Sequence, residues 1–112
     1  MHMETLNIYN SKTRSNILLS YDCISHITID KYVLSFHTNK KERFITLGSI
    51  KRCLTMLPPF FLCLRRNLIV NMTCVTSYNL KDSTVTMNDG LILMVSPTKR
   101  QMIKKYYASA RV

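Results

Sequence analysis

Phe60 to Asn71 reads Phe-Phe-Leu-Cys-Leu-Arg-Arg-Asn-Leu-Ile-Val-Asn, two arginines and an asparagine set between two apolar runs. A guanidinium stays charged in any protein and presents its donors in a planar fork, which suits phosphate oxygens or a guanine edge. Held at a core boundary, Arg65 and Arg66 would be two aimed cations. A surface pair that merely solvates the end of a strand explains the same residues, and this stretch alone does not choose. Other chemistry is poorly provided for. Catalysis needs a nucleophile beside a base, or paired carboxylates in a cleft. The six acids are scattered through separate loops, and His26 and His37 fall within expected strands. The four cysteines form no C-x-x-C pair, so zinc lacks the closely spaced ligands it requires. Buried, reduced thiols are expected. The sequence therefore predicts no enzyme, no metal, no cofactor and no small-molecule substrate. His2, in the opening Met1-His2-Met3, is given no role.

The elements around the arginines follow from apolar patterning. Phe60 to Leu64, bounded by Pro58-Pro59, reads as a buried strand, and Leu68-Ile69-Val70 as a second apolar run closed by Asn71. Asn71 is expected to bond backbone rather than a ligand. Upstream, Thr5 to Tyr9 and Ser15 to Ser20 read as strands joined by a turn. His26 to Ile29 and Tyr32 to His37 form a pair turning at Asp30-Lys31, and Arg43 to Thr46 follows a loop. Strands this short, with turns this tight, pair antiparallel. Leu47, Ile50, Leu54 and Leu57 recur at helical spacing, with Thr46 as N-cap and Pro58-Pro59 as the stop. Lys51, Arg52 and Thr55 fall on that helix's solvated face.

Downstream, Cys74 to Tyr78 and Ser83 to Met87 alternate weakly, and Asn88-Asp89-Gly90 turns the chain into Leu91, Leu93 and Val95. Lys99 to Tyr107 reads as a last helix, with Met102, Ile103 and Tyr106 inward and Lys99, Arg100, Lys104 and Lys105 outward. The fold class expected is mainly β: small antiparallel sheets, one short central helix and one C-terminal helix.

Length and charge bound the function. The 112 residues suffice for one domain, 1–112, with one core. Sixteen Lys and Arg against six Asp and Glu give a net charge of +10, which favours a polyanionic partner, nucleic acid before an anionic membrane surface. No apolar stretch approaches the roughly 20 residues a membrane helix needs, so a soluble, cytoplasmic protein is expected.

Element order and central residues together resemble the LytTR-type (LytR/AlgR) DNA-binding domain of bacterial transcriptional regulators, the effector domain of many response regulators. The resemblance rests on Ile27…Tyr32-Val33…His37-Thr38, Leu57-Pro58, Phe60-Phe61, Arg66-Asn67-Leu68-Ile69-Val70-Asn71, Asp89-Gly90 and Val95-Ser96, across about residues 5 to 107. The chain departs from the family at Cys63-Leu64-Arg65-Arg66, where Arg-x-His-Arg is common. Pro97-Thr98 also stands where a basic residue is usual. These departures bear on the target sequence rather than on the fold.

The resemblance implies sheets packed in layers and loops that enter successive major grooves and bend double-stranded DNA. Three places match the family's reading surfaces: Lys31-Tyr32, Arg65-Arg66 with Asn67, and Thr98-Lys99-Arg100. Each carries a cation, arginine suiting a guanine edge and lysine a phosphate. Asn67 suits adenine or the capping of its own turn. Tyr32 suits stacking on a sugar or a place in the core. The implied partners are a second copy on tandem half-sites and a membrane-bound or receiver-domain regulator, since phosphorylation control is not encoded in these residues. Two alternatives remain: an RNA- or ribosome-associated basic β domain, and an interaction module that docks on a membrane-bound inhibitor. Against RNA, Phe36, Phe44, Phe60 and Phe61 fall in core-like runs rather than on a stacking face.

Overall fold

Two apolar runs flanking a short polar turn make the central hairpin of the molecule. In the computed structural model, which describes residues 5–110, Phe61–Arg65 and Leu68–Asn71 pair antiparallel, with Phe61 opposite Asn71 and Arg65 opposite Leu68. Numbered in chain order these are β6 and β7. With β3 (Ile24–Asp30), β4 (Val33–Thr38) and β5 (Arg43–Leu47) they form one sheet in the order β5-β4-β3-β7-β6. His2 lies outside the described residues.

The hairpin's strands are apolar from Phe61 to Leu64 and from Leu68 to Val70 because they are covered on both faces. Side chains alternate across a strand, and here each side meets a different core. Phe61, Cys63 and Ile69 pack into one cluster, Leu62, Leu64, Leu68 and Val70 into another. The single core expected is thus two, separated by the sheet. The first is closed by the hairpin of β1 (Thr5–Asn10) and β2 (Ser15–Ser20), which contributes Leu6, Ile8 and Leu19, and by α1 (Ile50–Thr55), which contributes Cys53. The second is closed by β8 (Val75–Asn79), β9 (Thr84–Met87) and β10 (Ile92–Met94), a sheet in the order β10-β9-β8, and by α2 (Arg100–Tyr107). The result is the layered, mainly β architecture with two helices that the sequence implied.

Asn71 joins the layers. It is shut off from solvent, its Nδ2 donates to the carbonyls of Ile24 at 2.9 Å and Tyr21 at 3.3 Å, and its Oδ1 accepts from Thr73 N at 2.9 Å. A buried amide with its groups matched is worth more than its net hydrogen-bond energy, because removing it strands its partners. It bonds backbone, as its type predicted.

Both helices begin later than their periodicity suggested. The N-cap of α1 is Ser49, whose Oγ accepts from Arg52 N at 3.2 Å, and not Thr46, which lies in β5. Leu47 fits the helical spacing but ends β5 with 72% of its surface exposed. Gly48 follows β5, and a Cβ there would lie 2.8 Å from Leu34 Cδ1, so a larger residue would require the end of the Leu34 side chain to shift. At the C-terminal end Pro97–Lys99 forms a 3-10 turn, and α2 starts at Arg100 rather than Lys99. Ile103 is buried there and Tyr106 half-buried, whereas Met102 is exposed. Tyr107 takes the inward place instead, its hydroxyl donating to Met72 O at 2.6 Å.

Candidate nucleic-acid interface

The turn between β3 and β4 consists of Lys31 and Tyr32, since Asp30 already pairs with Val33. Register carries its neighbour to the same end of the sheet. Thr28 pairs with Leu68, so the last residues of β3 lie beside the first of β7, and Ile29 N donates to Asn67 O at 3.3 Å. The β6–β7 turn, Arg66-Asn67, therefore stands next to Lys31-Tyr32. The third segment is tied to the last turn of β6, with Ser96 N donating to Leu64 O at 2.8 Å. Thr98-Lys99-Arg100 follows directly. Three segments far apart in sequence thus gather at one end of the five-stranded sheet.

Their side chains are not equally free. Tyr32 is 78% exposed, which removes the core alternative for it. Lys31, Arg66, Asn67 and Thr98 are exposed, while Arg65, Lys99 and Arg100 are half-buried. Arg65 and Arg66 do not act as one surface pair. A register shift between Cys63 and Arg65 marks a bulge in β6, a device that re-aims the side chains around it. Arg66 reaches the open turn, whereas the Nε of Arg65 is buried without a hydrogen-bond partner among the described residues. The Sγ of Cys63 donates to Arg65 O at 3.0 Å across the bulge.

Arg100 departs from the outward position expected for it. Its Nε donates to the hydroxyl of Ser83 at 2.8 Å, and Ser83 is buried with φ +56°. The guanidinium plane is thereby fixed with its outer nitrogens free of that bond. Ser83 was not a site residue on sequence grounds, and nothing in its local sequence signals the role, because the contact spans 17 positions. Lys31 also carries a left-handed backbone, φ +56°, at the tip of its turn.

The histidines and cysteines sit elsewhere. His26 and His37 stack at 4.3 Å between ring centroids with an interplanar angle of 2°. Ser25 Oγ lies 3.0 Å from His26 Nδ1 and Thr28 Oγ1 lies 3.0 Å from His37 Nε2. Burial, then the neighbouring His37, lowers the pKa of His26 from 6.5 to about 4; burial, then Arg43, lowers that of His37. A Ser–His contact suggests nucleophilic chemistry, but Ser25 is only 2% exposed and cannot meet a substrate. Cys23, Cys53, Cys63 and Cys74 are free thiols. Burial pushes the Cys53 thiol up to about 11 and raises that of Cys74, which keeps both in the unreactive protonated form. Among the described residues no three His, Cys, Asp or Glu side chains are grouped to hold a metal ion. No described helix is long and apolar enough to cross a membrane.

Comparison with known proteins bears on the family and the fold. No curated protein matches the chain. Among solved structures, it is similar to a LytTr DNA-binding domain from a Bacillus cereus protein described as a methyl-accepting/DNA response regulator. The TM-score is 0.76 at 15% identity, over 93% of this chain and 96% of that one, a likeness of fold. The family model described as LytTr DNA-binding domain matches residues 14–108, from the β1–β2 turn to just past the end of α2. All three gathered segments fall within that match, and the chain belongs to the LytTR family of DNA-binding domains.

Proposed function

We propose that this chain is the double-stranded DNA-binding unit of a bacterial transcriptional regulator, reading a specific sequence through loops rather than through a helix. The observation that carries the reading is the gathering of Lys31-Tyr32, Arg65-Arg66-Asn67 and Thr98-Lys99-Arg100 at one end of the sheet. A chain of net charge +10 supplies the general attraction to phosphate. In this reading Arg66 takes a guanine edge and Asn67 an adenine, both from a turn held by buried strands. Lys31, Thr98 and Lys99 contact phosphates, Tyr32 stacks on a sugar, and Arg65 and Arg100 support the turns beside them while offering charge to the backbone. Loops entering successive major grooves would bend the duplex toward the protein.

The testing experiment is a competition gel-shift with duplex DNA and duplex RNA of matched sequence. DNA should compete better, because the deep, narrow major groove of A-form RNA does not admit these turns. Equal or better competition by RNA would overturn the reading. Two copies are proposed to occupy tandem half-sites on one face of the duplex, with control supplied by a receiver-domain or membrane-bound regulator. Inserting about five base pairs, half a helical turn, between half-sites should then abolish cooperative binding.

A further inference from the structure

Between β1, the end of β5 and α1 lies a cavity of about 170 Å³ that the DNA reading does not use. Buried apolar side chains line it: Leu6, Ile8, Leu34, Phe36 and Cys53. Its mouth is apolar as well. Leu47 is 72% exposed, Met56 55% and Tyr9 50%, three large side chains brought together around one opening. Among the described residues the lining contains one charged side chain, Arg52, and no acid. Asn7, Tyr9, Thr46 and Ser49 are its other polar side chains, of which Thr46 Oγ1 donates to Tyr9 O at 2.8 Å and Ser49 Oγ accepts from Arg52 N at 3.2 Å.

We infer that this cavity binds a small apolar monocarboxylate, its hydrocarbon body among Ile8, Leu34 and Cys53 and its carboxylate on the Arg52 guanidinium. Size permits it: an apolar cavity of roughly 150 Å³ is enough to take up benzene. Charge selects the class, because among the described residues the one charged group in the lining is a cation. Arginine holds a carboxylate bidentately, which fixes orientation as well as sign. A neutral ligand would leave that fork unused, and a dianion would bring a second charge against an apolar wall. The thiol at the floor, raised by desolvation, reports the same low polarity.

The site adjoins the candidate interface. Gly48 lines the cavity, and its N–H donates to Tyr32 O at 2.9 Å. Regulation of DNA binding by such a ligand rests on the function proposed above; occupancy of the cavity does not. The test therefore reads occupancy alone. Isotope-labelled protein is titrated with phenylacetate, with hexanoate and with 2-phenylethanol, the uncharged counterpart of phenylacetate, while methyl and amide resonances are followed by NMR. Saturable shifts should centre on Leu6, Ile8, Leu34 and Cys53, with a dissociation constant of about 1 mM or tighter for an acid of roughly ten heavy atoms. Arg52→Gln, an exposed change that should melt like the parent, should weaken both acids about tenfold and leave 2-phenylethanol unchanged. The inference is overturned if neither acid moves those resonances, if the alcohol binds as well as its acid, or if Arg52→Gln leaves acid binding unaltered. Shifts confined to Lys31, Arg66 and Lys99 also overturn it, since they report an anion attracted to the basic end of the sheet.

Discussion

Lys31 holds a left-handed backbone, φ +56°, in the two-residue connection between β3 and β4. A residue with a Cβ loses roughly 1–2 kcal/mol in that region, where glycine loses almost nothing. Glycine also adds freedom to the unfolded chain, at a cost of roughly 0.4–1 kcal/mol. Lys31→Gly should accordingly leave stability unchanged or raise it by up to about 1.6 kcal/mol, a gain in Tm of up to roughly 8 °C for a chain of this size. The same substitution deletes a cation from the proposed DNA surface. Losing one phosphate contact lowers the dependence of log affinity on log salt by about 0.9. The variant should therefore fold as well as the parent, or better, and bind DNA less tightly, the difference shrinking as salt rises. Circular-dichroism melts give the first quantity and fluorescence anisotropy across a salt series the second. Lys31→Asn is the companion variant, since asparagine tolerates the left-handed region and carries no charge. A fall in Tm of several degrees for Lys31→Gly would refute the strain argument. An unchanged salt slope in both variants would show that Lys31 does not touch phosphate.

Arg66→Ala should cost about 1–3 kcal/mol on the best DNA site and much less on random duplex, whereas Lys99→Ala should weaken both alike and lower the salt slope by about one unit. Equal losses on the two duplexes for Arg66→Ala would reduce that arginine to a phosphate clamp. Asn71→Ala, measured by urea unfolding, should cost about 3 kcal/mol, because it strands the buried carbonyl of Ile24 and the N–H of Thr73 together; a loss below about 1 kcal/mol would mean that water replaces the amide. For His26 the folded pKa of about 4 lies below the unfolded 6.5, so between those values the unfolded chain binds more protons and stability falls as pH falls. His37, also lowered, acts in the same direction. Urea midpoints should drop from pH 7 to pH 5 and drop less in His26→Phe, and identical profiles for the two proteins would count against the buried, neutral pair.

The central hairpin was legible because strands covered on both faces leave uninterrupted apolar runs, and Phe61 to Leu64 and Leu68 to Val70 are such runs. Those same runs concealed that they serve two cores, since composition records burial and not which partner covers each face. The start of α1 was misread for a related reason. Leu47 satisfies a three-residue helical spacing to Ile50, while its pairing with Val33, which makes it the end of a strand, depends on a residue 14 positions away. The positions of Lys31 and Arg66 on turns could be inferred from the strands that flank them. The bond from Arg100 to Ser83 could not, because neither residue carries a local mark of it. Exposure of Tyr32 was likewise undecidable from sequence, where an aromatic beside a valine suits core and surface equally.

Leu64 and Leu68, which bracket the Arg65–Asn67 segment, are both inaccessible to solvent, while Arg66 and Asn67 between them are exposed and absent from either core. What the duplex would meet and what the fold requires are therefore different side chains only one or two positions apart. Exchanges at exposed tips usually change stability by less than about 0.5 kcal/mol, against several for a buried leucine. A descendant of this chain can try another residue at Arg66 or Asn67 without first acquiring a compensating change in its interior. Under the proposed base contacts, promoter preference could then wander among relatives while the hairpin beneath it stays nearly fixed. Such divergence should show itself as families of operators that differ base by base at the positions facing these two residues.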